Sequence, residues 1–224
     1  MKTTPLKSTP RGPWASRQIP RLRLGALALC LVLLAGCAGV FSTGPAPKRM
    51  FLNPEPPAQI TGTKTTRETQ IIVSLPTAWL AVDTDAIALL FPNREIRYLS
   101  GVRWAGTVPG LVQSFLIDAL GATGAFQGVA GDSTGISSQV RLACDIRQFL
   151  LRYDDPNQPP TAVFDATFRL INLRNGEIIS TLPLLLTAPA TGTSAQDLVN
   201  ASEKVMSEAL GKVAAWSVAS ISAK

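Results

Sequence analysis

The longest uninterrupted strand signal limits most strongly what this chain can fold into. Over residues 140–147, Val140, Leu142, Cys144 and Ile146 alternate with Arg141, Ala143, Asp145 and Arg147, the period of a strand with one face in a core. The apolar parity then shifts to Phe149 and Leu151. Such a switch predicts a bulge near Arg147-Gln148, because one extra residue restores the same face to the core. Residues 162–173 alternate again, with Phe164, Ala166, Phe168 and Leu170 on one side. Asn175-Gly176 then marks a tight hairpin, so residues 178–187 pair antiparallel with the strand before. A sheet of this kind must bury its apolar face under another layer.

Two amphipathic segments can supply that layer. In residues 108–120, Leu111/Val112, Phe115/Leu116 and Ala119/Leu120 recur every four positions, with Pro109 suited to a first helical turn and Gly121 to a C-terminal cap. Near the end, Ser194-x-x-Asp197 has the form of a capping box, and Leu198, Val205, Ala209, Val213 and Trp216 form one stripe of a long helix. Upstream, residues 69–75 read as a strand stopped by Pro76, and residues 86–91 and 95–99 as a hairpin turning at Pro92-Asn93. Met50-Phe51-Leu52 reads as an isolated edge strand before the proline-rich residues 53–57. The glycine-rich residues 121–138 read as a loop. The fold class expected is α+β: an antiparallel sheet with two helices packed on one face, preceded by a signal peptide and a flexible lipidated tether.

The charge distribution supports that leader. The 224 residues carry 21 Lys and Arg against 15 Asp and Glu, but six of the bases (Lys2, Lys7, Arg11, Arg17, Arg21, Arg23) lie before Cys37, where there is no acid. From Cys37 onward the formal charge is zero, which removes the basic excess a nucleic-acid binder normally shows. The eleven apolar residues 24–34 are too few to span a bilayer, which takes ~20, and fit the apolar region of a signal peptide. Leu34-Ala35-Gly36-Cys37 matches a lipobox, the site at which bacterial lipoprotein precursors receive diacylglycerol on the cysteine thiol and are cut between Gly36 and Cys37. The alternative is an ordinary secretory signal with an incidental cysteine. Residues 1–36 are therefore assigned to the signal peptide, 37–49 to the lipidated cysteine and tether, and 50–224 to the folded domain. Eleven tether residues reach at most ~36 Å. Ala38, where an Asp would favour retention in the inner membrane, points to the outer membrane. The expected location is the periplasmic face of the cell envelope.

Losing residues 1–36 discards Cys30, and lipid blocks Cys37, so Cys144 remains alone and no disulfide forms within the mature chain. No cofactor is expected beyond the covalent diacylglycerol and N-acyl lipid, such as palmitate, on Cys37. The chain contains no histidine, so no His-dependent triad or His-containing zinc site can be assembled. Gly131-Asp132-Ser133-Thr134-Gly135 matches the G-x-S-x-G nucleophile elbow, yet that elbow needs a strand before it, a helix after it and a proton acceptor. A hydrolase using Ser133 is the weakest of three readings, and the protein is expected not to be an enzyme. Cys144 reads as a small core residue, and Asp154-Asp155 as a solvated turn rather than a cation site. Trp104 is either a core-edge side chain capping the helix or an anchor at an interface. Phe51 is the second candidate for a partner interface.

The order of motifs resembles the ABC-type transport auxiliary lipoproteins, including the paraquat-inducible protein C type. The resemblance rests on the lipobox, Phe51-Leu52-Asn53, Ile71-x-Val73-x-x-Pro76, and the block from Tyr98-Leu99 through Arg103-Trp104-Ala105 into Val108-Pro109-Gly110-Leu111-Val112-Gln113. It covers residues 50–224. Trp79-Leu80 and Asp83-Thr84-Asp85 depart from a Tyr/Leu-plus-Arg pattern in many relatives. The resemblance implies a docking subunit that works beside an ABC permease, its ATPase and an MCE-domain (mammalian-cell-entry) protein, moving lipids or other hydrophobic molecules between membranes. It leaves homo-oligomerisation open. The alternative is a structural or assembly lipoprotein of another envelope complex with no transport role.

Overall fold

A computed structural model describes residues 46–62, 64–135 and 137–223. The lipobox and most of the tether, including Gly36, Cys37 and Ala38, lie outside the described residues. Among the described residues, nine strands and three α-helices follow one another as β1 (Lys48–Met50), α1 (Lys64–Arg67), β2 (Gln70–Val73), β3 (Thr77–Ala78), β4 (Ala86–Leu90), β5 (Ile96–Trp104), α2 (Val108–Ala122), β6 (Gly128–Gly131), β7 (Val140–Arg152), β8 (Thr161–Asn172), β9 (Ile178–Pro189) and α3 (Ala195–Ser222). A single turn of 3₁₀-helix at Asp132–Thr134 joins β6 to β7.

β7 organises the sheet. One of its edges pairs antiparallel with β8 along its whole length, and β8 pairs antiparallel with β9. The register of β7 and β8 slips between Ile146 and Gln148, the bulge that the parity switch predicts. Phe149 therefore faces the same side as Ile146 and lies opposite Phe164. The β8–β9 turn places Gly176 at φ +75°, a left-handed conformation that glycine adopts without the steric cost of a Cβ.

The other edge of β7 departs from expectation. It is lined in succession by β2, β3 and β4, and all three run parallel to it. β2 also pairs parallel with β6, and β1 parallel with β5. The α+β class stands, but the sheet is mixed rather than purely antiparallel. Parallel pairs join segments distant in sequence and have no turn residues to announce them. β6 lies within the glycine-rich stretch read as a loop. Lys48 and Arg49, counted with the tether, belong to β1, and Phe51 and Leu52 follow that strand rather than form it.

The helices close the apolar face. The α2 residues Val112, Leu116, Ala119 and Leu120 and the α3 residues Leu198, Val205, Ala209 and Val213 are all buried in one core with Phe164, Phe168 and Leu142. Pro109 sits in the first turn of α2. The helix runs past Gly121 to Ala122, and the left-handed residue that follows is Gly124 (φ +65°). At the start of α3, Ser194 and Asp197 form the expected reciprocal capping box, satisfying amides that a helix N-terminus leaves free. Trp216 is only half-buried, and its indole N–H donates to Ser180 Oγ at 3.0 Å. Among the described residues no helix is long and apolar enough to cross a membrane.

Candidate interaction surface

On the sheet face opposite the helices, side chains of β7 and β8 form an ionic ladder. Arg147 donates through Nε to Asp165 at 3.0 Å, through a second nitrogen to the other Asp165 oxygen, and through Nη1 to Thr167 Oγ1 at 2.7 Å. Asp145 accepts from the Thr77 hydroxyl and from Arg169. The bulge allows this arrangement, because Arg147 is the extra residue and its guanidinium reaches across β8 rather than following the pleat. Alternation of charge at Asp145, Arg147, Asp165 and Arg169 is the sequence signal that could have revealed it.

The hydroxyl of Thr77 and the guanidinium of Arg169 hold the Asp145 carboxyl below its usual range. A depressed carboxylate contributes stability above its unfolded pKa, about 4, and loses it as pH falls through the folded value. Asp145 and Arg169 are 44% and 36% exposed, so solvent limits the effect. Asp145→Asn should therefore lower the urea midpoint slightly at pH 7 and make the acid limb of stability below about pH 4 shallower than in wild type. An acid limb unchanged by the substitution would remove the ladder from the account of stability.

Two exposed apolar features lie apart from the ladder, one at the edge between β3 and β4 and one on the helix side of the sheet. Between β3 and β4 the chain leaves the line of the sheet over residues 79–85 and exposes Trp79 (64%) and Leu80 (90%). Beyond β1, Phe51 is 68% exposed and borders a cleft of about 130 Å³ lined by Leu52, Pro54, Pro56, Phe115 and Leu210. Backbone amides of Asn53 and Glu55 donate to Glu203 Oε1 (2.9 Å) and Ser207 Oγ (2.8 Å), strapping this segment across α3.

The candidate residues from the sequence do not come together. Trp104 is 2% exposed and stacks on Phe149 at 5.8 Å. It offers no surface to a partner, which corrects the interface reading. Phe51 is exposed on a different part of the domain. Ser133 is exposed on the 3₁₀ turn, preceded by β6 and followed by a strand rather than the helix an elbow needs. Burial, reinforced by the neighbouring Asp145 carboxylate, pushes the Cys144 thiol well above its ordinary pKa. Asp154 pairs with Arg152 at 3.1 Å, and Asp155 accepts from the Asn157 amide at 2.9 Å. Among the described residues no group of three or more potential ligands is placed to hold a metal ion. The sequence marks Trp79 and Leu80 only as a departure from the family's pattern, and their exposure depends on how the flanking strands pair.

The family model of the ABC-type transport auxiliary lipoprotein component matches residues 51–214. The chain belongs to that family. The match spans β2 to β9 and most of α3, so it takes in the whole sheet except β1. No curated protein matches the chain. A solved protein of Xanthomonas campestris is similar in fold, with TM-score 0.66 and 17% identity, covering 77% of this chain and 96% of its own. A solved uncharacterised protein follows at TM-score 0.56 and 13% identity, covering 72% and 99%. At these identities the likeness is one of fold. By family, the chain is an ABC-type transport auxiliary lipoprotein component.

Proposed function

We propose that this auxiliary lipoprotein is the membrane-anchored docking subunit of an ABC/MCE-type envelope system that moves lipids or other hydrophobic molecules between membranes. The reading is carried by the family match over residues 51–214, read together with the lipobox at Leu34-Ala35-Gly36-Cys37. On this reading the ATPase of the system supplies the energy. The auxiliary subunit contributes position, holding a periplasmic conduit against the membrane that takes its lipid. Ala38 after the lipidated cysteine favours the outer membrane.

The α+β domain suits such a role. Its polar face carries an internally paired ionic ladder, and its two apolar features protrude or open to solvent where another protein or a bilayer can meet them. A tagged full-length chain, crosslinked in cells that produce a permease, ATPase and MCE-domain protein of this kind, should retain the MCE-domain protein through purification. Recovery of the sorting machinery alone would overturn the reading.

A further inference from the structure

The excursion at residues 79–85 is built as a rigid protrusion. The Trp79 amide donates to the Ile146 carbonyl at 3.1 Å, the amides of Val82 and Asp83 turn back onto the Trp79 carbonyl at 2.8 and 2.9 Å, and Val82 is buried at the base. The tip left outside carries Trp79 and Leu80. Tyr98, 48% exposed on β5, donates its hydroxyl to the Ala81 carbonyl at 3.2 Å and stands beside them. An exposed Leu between a Trp and a Tyr combines an apolar end with rings that tolerate a half-wet setting, the chemistry of the bilayer interface.

The protrusion is also fastened to the place where the anchor enters. Arg49 of β1 pairs with Asp85 at 3.3 Å, Arg103 pairs with the same carboxylate at 2.7 Å, and the Trp104 amide donates to the Asp85 carbonyl at 2.7 Å. Leu80 is five positions before Asp85, so the tip lies within ~17 Å of the residue that Arg49 of β1 holds. The eleven residues 38–48 reach at most ~36 Å, which lets the tip meet the same bilayer without stretching the tether.

We infer that Trp79 and Leu80 form a second membrane contact, seated in the headgroup and upper acyl region of the bilayer that holds Cys37. The inference rests on the lipid-anchor reading. Two side chains alone hold a bilayer weakly, with a dissociation constant near ~1 mM. A tether supplies an effective concentration of the same order, so the contact forms in the anchored chain and fixes which face of the domain looks away from the membrane. A convex tip suits a deformable bilayer better than a protein surface, which would need a matching pocket.

The test uses the mature chain, residues 37–224, coupled through Cys37 to a maleimide phospholipid in vesicles of phosphatidylethanolamine and phosphatidylglycerol. Cys144 is 3% exposed, which leaves Cys37 as the reactive thiol. Tryptophan emission should be quenched by lipids brominated near the top of the acyl chain. Trp79→Phe should remove the quenching, because Trp104 is buried and Trp216 is held at Ser180. Leu80→Glu should weaken the quenching about ten-fold or more while leaving the urea midpoint unchanged. Quenching that is absent, or equal in Leu80→Glu, overturns the inference. So does a Trp79 that stays open to aqueous acrylamide on vesicles and becomes protected only when the MCE-domain protein is added, which would make the tip a protein contact. Chemical coupling keeps this outcome independent of whether cells lipidate Cys37.

Discussion

Phe164→Ala should destabilise the domain by about 3–5 kcal/mol, the usual loss for a fully buried aromatic. Phe164 is 0% exposed at the middle of β8. Its ring meets Phe149 edge-on at 5.9 Å and lies 6.4 Å from Phe168, while Phe149 stacks on Trp104. Three separate sequence regions therefore converge on one aromatic group: β5 through Trp104, β7 past its bulge, and β8. The helices cover the same core through Leu116, Val205 and Ala209. Neither sheet nor helices can close easily on the void, because β8 is pinned on both sides by β7 and β9. A domain of this size is stable by only about 5–15 kcal/mol, so the variant should sit near the edge of folding. Urea denaturation followed by tryptophan emission in the Trp79→Phe background measures the effect. A loss below about 1 kcal/mol would mean that the core collapses onto the site far more freely than this packing allows.

What could be read from the sequence was what neighbouring residues decide among themselves. The bulge at Arg147-Gln148, the hairpin around Asn175-Gly176 and the Ser194–Asp197 capping box each depend on a few adjacent residues, and each lies where the spacing places it. The parallel pairings of β7 with β2, β3 and β4 depend on segments up to about seventy residues apart, held by packing that no local motif records. β6 was hidden because Gly128 and Gly131 lack the β-branched pattern of a strand. The same distinction governs the surface. Trp104 and Trp79 are both apolar residues at the edges of strands, yet one is 2% and the other 64% exposed. Trp104 continues the long strand β5 into the core, whereas Trp79 follows the two-residue β3 and is carried out by the excursion. Only the tertiary pairing separates them.

Cys37→Ala should leave the precursor uncleaved and unlabelled by lipid, the most complete change any single substitution would make to this chain. The thioether to diacylglycerol needs a thiol, and alanine has none. The peptidase that cuts before the cysteine acts on the lipidated form, so residues 1–36 should stay attached. The apolar residues 24–34 would then hold the protein in the inner membrane by its leader instead of its lipid. Cys30 cannot substitute, since it lies inside that apolar stretch, and Cys144 is buried in the folded domain. On the lipid-anchor reading, two or three acyl chains at ~0.8 kcal/mol per buried CH₂ would make release negligible, whereas one chain would bind only reversibly. Labelling with an alkyne palmitate analogue and following the leader by its size measures both effects at once. Normal cleavage between Gly36 and Cys37 in the alanine variant would refute the lipobox. The Trp79 contact would then lose its physiological tether, though the coupled vesicle assay would still report whether the tip can enter a bilayer. An intact lipobox with no vesicle quenching would instead leave the domain free to turn on its tether, so that its orientation would have to come from the transport complex itself.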